Sequence, residues 1–289
     1  MMDELISGTF SCGRGQPWSR DYVRVVSWNI ERGLQFSAIL DFLRSAEADL
    51  ILLQEVDLNV RRTRHLDVAN ELARSLRLNY VFGKEFQELS AGCCVSPALH
   101  GLATLSPWPI LNGRIIRFRR QSNFWKPRWY VPRIELFQRR LGGRISLVAD
   151  ALIDQQRSVT YNLHLESRGK DSLRLGQLSE TLEDANRQRE SALVIMAGDF
   201  NLDAGNHCAA ATLRTSRFHD GLGLLEVPTT VSRGLFQRER SIDWICVPDE
   251  VRSEGQVHDT VRASDHHPIS ATFARPWRHG AQAKGHRAG

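Results

Sequence analysis

The sequence predicts a layered α/β protein, and three observations lead there. Two apolar runs, at 23–28 and 49–53, flank a helical stretch, the pattern of a strand–helix–strand unit with a crossover and parallel pairing. A third run, at 193–197 (Leu-Val-Ile-Met-Ala), reads as a buried strand, and a long amphipathic stretch leads directly into it. Each run ends in polar residues: Asn29 and Glu31, Gln54 to Asp57, and Asp199 and Asn201. Polar groups gathered at several strand ends are how layered α/β folds assemble a site.

The elements follow in order. Residues 1–20 are rich in Gly, Ser and polar groups and are expected to form a loose leader. A helix is predicted at 37–47, with apolar residues at 39, 40, 42, 43 and 46, and another at 65–77, with Leu66, Ala69, Leu72, Ala73 and Leu76 on one side. Residues 80–82 read as strand and 84–99 as irregular; a strand at 101–105 is stopped by Pro107-Trp108-Pro109. Strand character returns at 144–152 and 158–165, then a helix at 173–189 carries apolar positions 175, 178, 182 and 185. Gly198 is expected to bend the backbone after the central strand. A helix at 207–215, a short strand at 229–232, a strand at 241–247 and a closing strand at 269–273 complete the chain. The folded domain is expected over 21–274, with 1–20 and 275–289 as flexible termini.

Composition excludes several classes. Hydrophobic residues at 42% and charged residues at 25% are those of an ordinary globular protein. No window approaches the roughly 18 apolar residues that span a bilayer, and Asp3 and Glu4 stand where a signal peptide would be basic. Five cysteines, odd in number and without zinc-ligand spacing, point to free thiols in a reducing, cytoplasmic setting. The net charge of +5 favours acidic partners. Much of it lies between Arg114 and Arg144, where ten Lys/Arg face one acid, Glu135, and six aromatic residues are interleaved. That mixture suits phosphates and stacked bases or anionic headgroups; the plainer alternative is a solvated hairpin with arginines over aromatic faces. Confinement of the imbalance to one segment favours binding, with Trp125, Lys126, Arg128 and Arg133 as substrate contacts.

The candidate site residues are Asn29, Glu31, Glu55, His164, Asp199, Asn201, Asp243, Asp265 and His266. Side chains two apart in an extended segment point the same way, so Asn29 with Glu31 and Asp199 with Asn201 are expected to converge; an Asx turn closing the strand is the plain alternative. Asp243 is embedded among Ile242, Trp244, Ile245 and Val247, and a buried strand seldom keeps an unpaired aspartate. Asp57 and Asp203 read as turn or surface residues and His267 as structural or exposed rather than catalytic. Oxygen ligands dominate the set, which points to Mg²⁺, or Mn²⁺, with Glu55 the first ligand and Asn29, Glu31 and Asp265 in support.

Trp28-Asn29-Ile30, Gln54-Glu55-Val56-Asp57, His164-Leu165-Glu166, Gly198-Asp199-Phe200-Asn201, Ser241-Ile242-Asp243 and Ser264-Asp265-His266-His267-Pro268 together resemble the endonuclease/exonuclease/phosphatase superfamily, in its order and over roughly residues 23–273. The resemblance implies a four-layer α-β-β-α sandwich of two mixed sheets packed face to face with helices outside, and metal-dependent hydrolysis of a phosphate ester. It implies that Glu55, with Asn29 and Glu31, holds the metal, and that Asp265 lies close to it. Asp199 would align or deprotonate the attacking water, with Asn201 orienting that water. His266, oriented by Asp243, would contact the phosphoryl group or move a proton, and His164 would stabilise the phosphate or help the leaving group. There are two departures. The deoxyribonuclease branch pairs its first histidine with a glutamate from a loop that here reads Ser106-Pro107-Trp108-Pro109, without an acid, and its frequent Gly-Asn pair is Gly101-Leu102. His164 must therefore find another partner or work unpaired.

The expectation is a monomeric Mg²⁺-dependent phosphodiesterase or nuclease acting on nucleic acid, with phospholipid or inositol-phosphate headgroups as the alternative substrates. A non-catalytic phosphate-binding protein of the same fold would be marked by loss of Glu55, Asp199, Asp243 or His266, and all four are present.

Overall fold

The computed structural model describes residues 5–11, 22–93, 96–122, 124, 140–153, 156–223, 227–232 and 238–274. The chain opens with β1 (Leu5–Gly8), β2 (Tyr22–Arg32), α1 (Phe36–Ser45) and β3 (Leu50–Leu58). A 3₁₀ turn at Arg61–Thr63 leads to α2 (Val68–Leu76), then β4 (Asn79–Cys93), β5 (Ser96–Ser106) and β6 (Ile110–Arg117). β7 (Arg140–Gly142), β8 (Ile145–Ile153) and β9 (Gln156–His164) precede α3 (Asp171–Gln188) and β10 (Leu193–Asp199). Last come α4 (His207–Thr215), β11 (Phe218–Asp220), β12 (Asp243–Pro248), β13 (Ser253–Val257) and β14 (Ile269–Ala274).

These strands form two open mixed sheets. The first runs β1-β4-β5-β3-β2-β14-β13, with β7 also on β4; the second runs β11-β12-β10-β9-β8-β6. The side chains explain why the central strands read as unbroken apolar runs. Val26, Trp28, Ile51 and Leu53 pack under α1 and α2, whereas Val25, Leu50 and Leu52 face the other sheet and meet Ile195, Ala197 and Ile245. On the far side Val194 and Met196 pack against Leu178, Leu182 and Ala185 of α3. A strand buried on both faces has no polar face to alternate with. The result is the four-layer α-β-β-α sandwich.

Each sheet carries one parallel pair among the described residues, β2 with β3 and β9 with β10, and each pair is joined through a helix. Parallel pairing places the C-terminal ends of both strands side by side: Asn29 lies opposite Gln54, and Asp199 opposite His164. Gly198 does not bend the chain. It remains within β10, and a Cβ there would lie 1.9 Å from the Leu163 carbonyl oxygen of β9, so the close approach of two backbones requires glycine.

Several elements differ from expectation. Residues 5–8 of the expected leader form β1 on the edge of β4, pairing Leu5 with Gly83 and Gly8 with Tyr80; four residues carry too little periodicity to announce a strand. The stretch expected to be irregular belongs to β4 and β5, whose ladder slips register between Lys84 and Phe86. Its polar residues Lys84, Glu85 and Glu88 are buried rather than solvated, the two glutamates in ion pairs with Arg144 and Arg62. Residues 110–117, at the start of the basic–aromatic segment, are β6. At 229–232 the described structure holds an isolated bridge, Thr230 to His266, in place of a strand.

Candidate active site

Asp199 is the centre of the site. It closes β10, is buried, and receives the Asn201 N–H on Oδ1 at 2.9 Å. Its Oδ2 faces nitrogens from both sheets: Asn29 Nδ2 at 3.3 Å, His164 Nε2 at 3.6 Å and His266 Nε2 at 3.8 Å. The two imidazole distances exceed a hydrogen bond, so both rings and the carboxylate border a common space.

The neighbouring strand ends are bulged. Register slips between Asn29 and Arg32 on β2 and between Leu53 and Val56 on β3. Glu31 (φ 45°), Glu55 (φ 53°) and Asn201 (φ 51°) all take left-handed backbone, a cost that sites tolerate where it aims a side chain. The expected convergence of side chains two apart therefore fails, because neither pair is extended. Instead Asn29 Oδ1 accepts the Glu31 N–H at 3.2 Å, as Asp199 does from Asn201, so each residue closes an Asx turn. Asn201 turns its Nδ2 to the Leu165 carbonyl at 3.1 Å. Glu55 Oε2 lies 3.5 Å from Arg32. Burial pushes its carboxyl up, but His100, Arg32, His164 and Arg144 together outweigh that and hold it well below the usual range.

Asp243 and His266 form a buried pair, with Oδ2 2.8 Å from Nδ1. The Thr229 hydroxyl donates to the same oxygen at 2.6 Å and accepts the Ile242 and Asp243 amides. Burial alone would depress the imidazole; Asp243, Asp199 and Asp265 reverse this and raise His266 to about 10. The 264–267 turn is fixed to β2: Ser264 Oγ donates to the Asn29 carbonyl at 2.6 Å, and Trp28 Nε1 to the His266 carbonyl at 2.9 Å. Asp265 accepts from Ser264 Oγ at 3.3 Å and is partly exposed. His267 is buried with Nδ1 on the Val261 carbonyl, a structural position as expected, and exposed Asp203 caps a turn at Gly205.

His164 does have partners. Arg144 Nη1 lies 2.7 Å from its Nδ1, and Glu85 Oε2 3.4 Å. Asp57 is no surface residue: fully buried, it holds His100 at 2.8 Å and Arg62 at 2.6 Å, and Glu88 joins Arg62 to Arg140. Asn162 of β9 crosses between the sheets. Its Nδ2 donates to the Leu53 and Ala103 carbonyls at 3.0 and 2.9 Å, and its Oδ1 accepts from Gln54 Nε2 at 2.8 Å. The sequence reading passed over Glu85, Arg144, His100, Asn162 and Thr229. The rule that singled out Asp243, a polar residue inside an apolar run, applies equally to Asn162 between Tyr161 and Leu163.

Of the basic–aromatic segment, Trp125, Lys126, Arg128 and Arg133 lie outside the described residues. Four of the described arginines on its flanks are engaged in ion pairs: Arg114 with Asp184, Arg119 with Glu180, Arg140 with Glu88 and Arg144 with Glu85. A separate cleft of about 640 Å³ opens between residues 33–38 and 62–66, just after the ends of β2 and β3. Arg62 and Arg64 line it together with Leu34, Phe36 and Leu66, and among the described residues no acid does. Asp199, Asp243 and His266 bring ligand atoms within 4.8 Å of one another, close enough to hold a metal ion. No described helix is long and apolar enough to cross a membrane.

A four-layer sandwich with acids, amides and histidines from both sheets meeting at adjoining strand ends defines a class of phosphate-ester hydrolases. Residues 26–266 match the model of the Endonuclease/Exonuclease/phosphatase family, and the chain belongs to that family. Solved structures agree on the fold. The endonuclease/exonuclease/phosphatase from Beutenbergia cavernae is similar at 17% identity and TM-score 0.64, over 88% of this chain and 72% of that one. Truncated Caenorhabditis elegans TDP2 is similar at 19% identity and TM-score 0.61, over 88% and 98%. SmcL is similar at 14% identity and TM-score 0.61, over 88% and 99%. Among curated proteins, none matches the chain in sequence.

Proposed function

We propose that the protein is a Mg²⁺-dependent phosphodiesterase that cleaves nucleic acid. The observation that carries this reading is the meeting of Asn29, His164 and His266 nitrogens at Asp199 Oδ2, from strands of both sheets and the turn before β14. In this reading the catalytic unit is 21–274, extended at its edge by β1.

The donor chemistry fits a hard cation at Glu55. That carboxylate is held ionised at a bulge, beside Asn29 on the neighbouring strand β2, to which the Asp265 turn is fixed. Glu55, Glu31 and Asp265 do not bring ligand atoms within 4.8 Å of one another as Asp199, Asp243 and His266 do. The Asp199–Asp243–His266 group fits less well, since His266 Nδ1 is taken by Asp243 and the ring is held protonated. Bound at Glu55, Mg²⁺ would supply charge neutralisation to a phosphoryl oxygen. Asp199 accepts a proton from the attacking water or aligns it, with the Asn201 turn setting the carboxylate's angle. His266, charged and anchored through Asp243 and Thr229, donates to the phosphoryl group where negative charge builds. His164 faces the same space from β9.

A polyanionic substrate is supported by Arg64 in the cleft, whose apolar walls suit a base beside a phosphate. The test is hydrolysis with Mg²⁺ or EDTA of single-stranded, duplex and abasic DNA, RNA, sphingomyelin and inositol phosphates. Metal-dependent cleavage of a nucleic acid, reduced at least about 1,000-fold in His266→Ala, is expected. Cleavage confined to sphingomyelin or inositol phosphates would replace the substrate while keeping the chemistry. Absence of both cleavage and Mg²⁺ binding would sink the enzyme reading.

A further inference from the structure

His164 meets two groups of opposite character at one nitrogen. Arg144 Nη1 stands 2.7 Å from Nδ1, and Glu85 Oε2 stands 3.4 Å from it. A guanidinium can only donate, so a nitrogen at 2.7 Å must accept and Nδ1 carries no proton. Glu85 Oε1 takes an N–H from the same Arg144 nitrogen at 3.1 Å, while its Oε2 lies buried 3.4 Å from Nδ1. The ring proton then belongs on Nε2, the atom that faces Asp199 Oδ2.

Arg144 is built in place. Its side chain is 4% exposed, its guanidinium carbon lies 5.4 Å from the Phe86 ring centre, and its Nη2 reaches Ser167 Oγ at 3.3 Å. Its backbone exchanges two hydrogen bonds with the Gln121 amide, at 2.9 and 2.6 Å. Glu85 and Phe86 come from β4, Arg144 from the residue before β8, and His164 from the end of β9, so both sheets fix the arrangement.

We propose that Arg144 is the positioning residue of His164: it locks the ring as the Nε2–H tautomer, so that His164 presents one fixed hydrogen-bond donor to a phosphoryl oxygen and transfers no proton. The inference rests on the hydrolase reading for its catalytic consequence, though not for the tautomer itself. It departs from a carboxylate–histidine pair, in which the acid would take the Nδ1 proton and favour the imidazolium.

The decisive experiment is a long-range ¹H–¹⁵N correlation spectrum of the full chain at neutral pH, with His164→Gln identifying the signals. Nδ1 is expected to be unprotonated and Nε2 protonated. In Arg144→Met the proton should move to Nδ1, opposite Glu85. Its kcat on bis(p-nitrophenyl) phosphate with Mg²⁺ should fall by about 100-fold, with KM changed less than roughly threefold. Arg144→Lys, still a donor, should keep the wild-type tautomer and recover part of kcat. A protonated Nδ1 in the wild type, or unchanged kcat in Arg144→Met, would overturn the proposal. If Arg144→Met does not fold, the wild-type spectrum decides alone. Wild-type inactivity on every phosphodiester would instead refute the hydrolase reading, and the spectrum would still report the tautomer.

Discussion

At the scale of single residues, burial makes each charge in the site depend on a particular partner. His266 is 8% exposed, and its proton is kept by Asp243, Asp199 and Asp265 against the pull of desolvation. The folded-state value of about 10 lies above the ordinary 6.5, so the pair stabilises the fold fully below about pH 6.5 and fades as pH rises through about 10. Asp243→Asn should remove that contribution, at most about 5 kcal/mol at about 1.4 kcal/mol per pKa unit. Melting temperatures of the two proteins should differ most near pH 6 and converge above pH ~10; a gap independent of pH would mean that Asp243 acts through packing alone. Asp243 was legible in the sequence because an aspartate among Ile242, Trp244 and Ile245 is costly without a partner. Thr229, which completes the pair, was not, since nothing in a threonine fourteen residues away announces a hydroxyl aimed at that carboxylate.

At the scale of elements, the site depends on how strands end. The slip between Leu53 and Val56 breaks the β3–β5 ladder, and Asn162 from the opposite sheet accepts from Gln54 and caps the Leu53 and Ala103 carbonyls. Asn162→Ala should therefore leave buried polar groups unpaired and cost on the order of 3 kcal/mol, read as a lower urea midpoint. It should also weaken Mg²⁺ binding at Glu55 in calorimetry. Loss of stability with unchanged metal affinity would show that the bolt holds the sheets without setting the bulge. On the partner strand, Gly198→Ala should separate β9 from β10 and lower stability by about 3 kcal/mol or more, measured by thermal melting, because the new methyl meets the Leu163 carbonyl. Strand centres were readable from apolar runs. The bulges were not, since the residues in them have the same composition as a regular strand end and differ in φ alone.

At the scale of the whole molecule, two strand–helix–strand units from different sheets bring their C-terminal ends together, Asn29 and Glu55 from one, His164 and Asp199 from the other. In the proposed function this site holds its cation only in the folded state. Saturating Mg²⁺ should raise the unfolding free energy by about 2.7 kcal/mol at 100 times Kd, EDTA should reverse it, and Glu55→Gln should abolish most of it in melts followed by fluorescence. Equal stabilisation of wild type and Glu55→Gln would move the ion to the Asp199–Asp243–His266 group. The sequence by itself determined the first parallel unit and the polar residues at the strand ends, because burial on two faces demands apolar runs and leaves chemistry to the termini, and the four layers followed from the family resemblance. Only the tertiary structure decided which of those residues meet. Glu85, Arg144 and His164 are far apart in sequence and join only when β4, β8 and β9 pack, and a buried charge finds its partner through space, not along the chain.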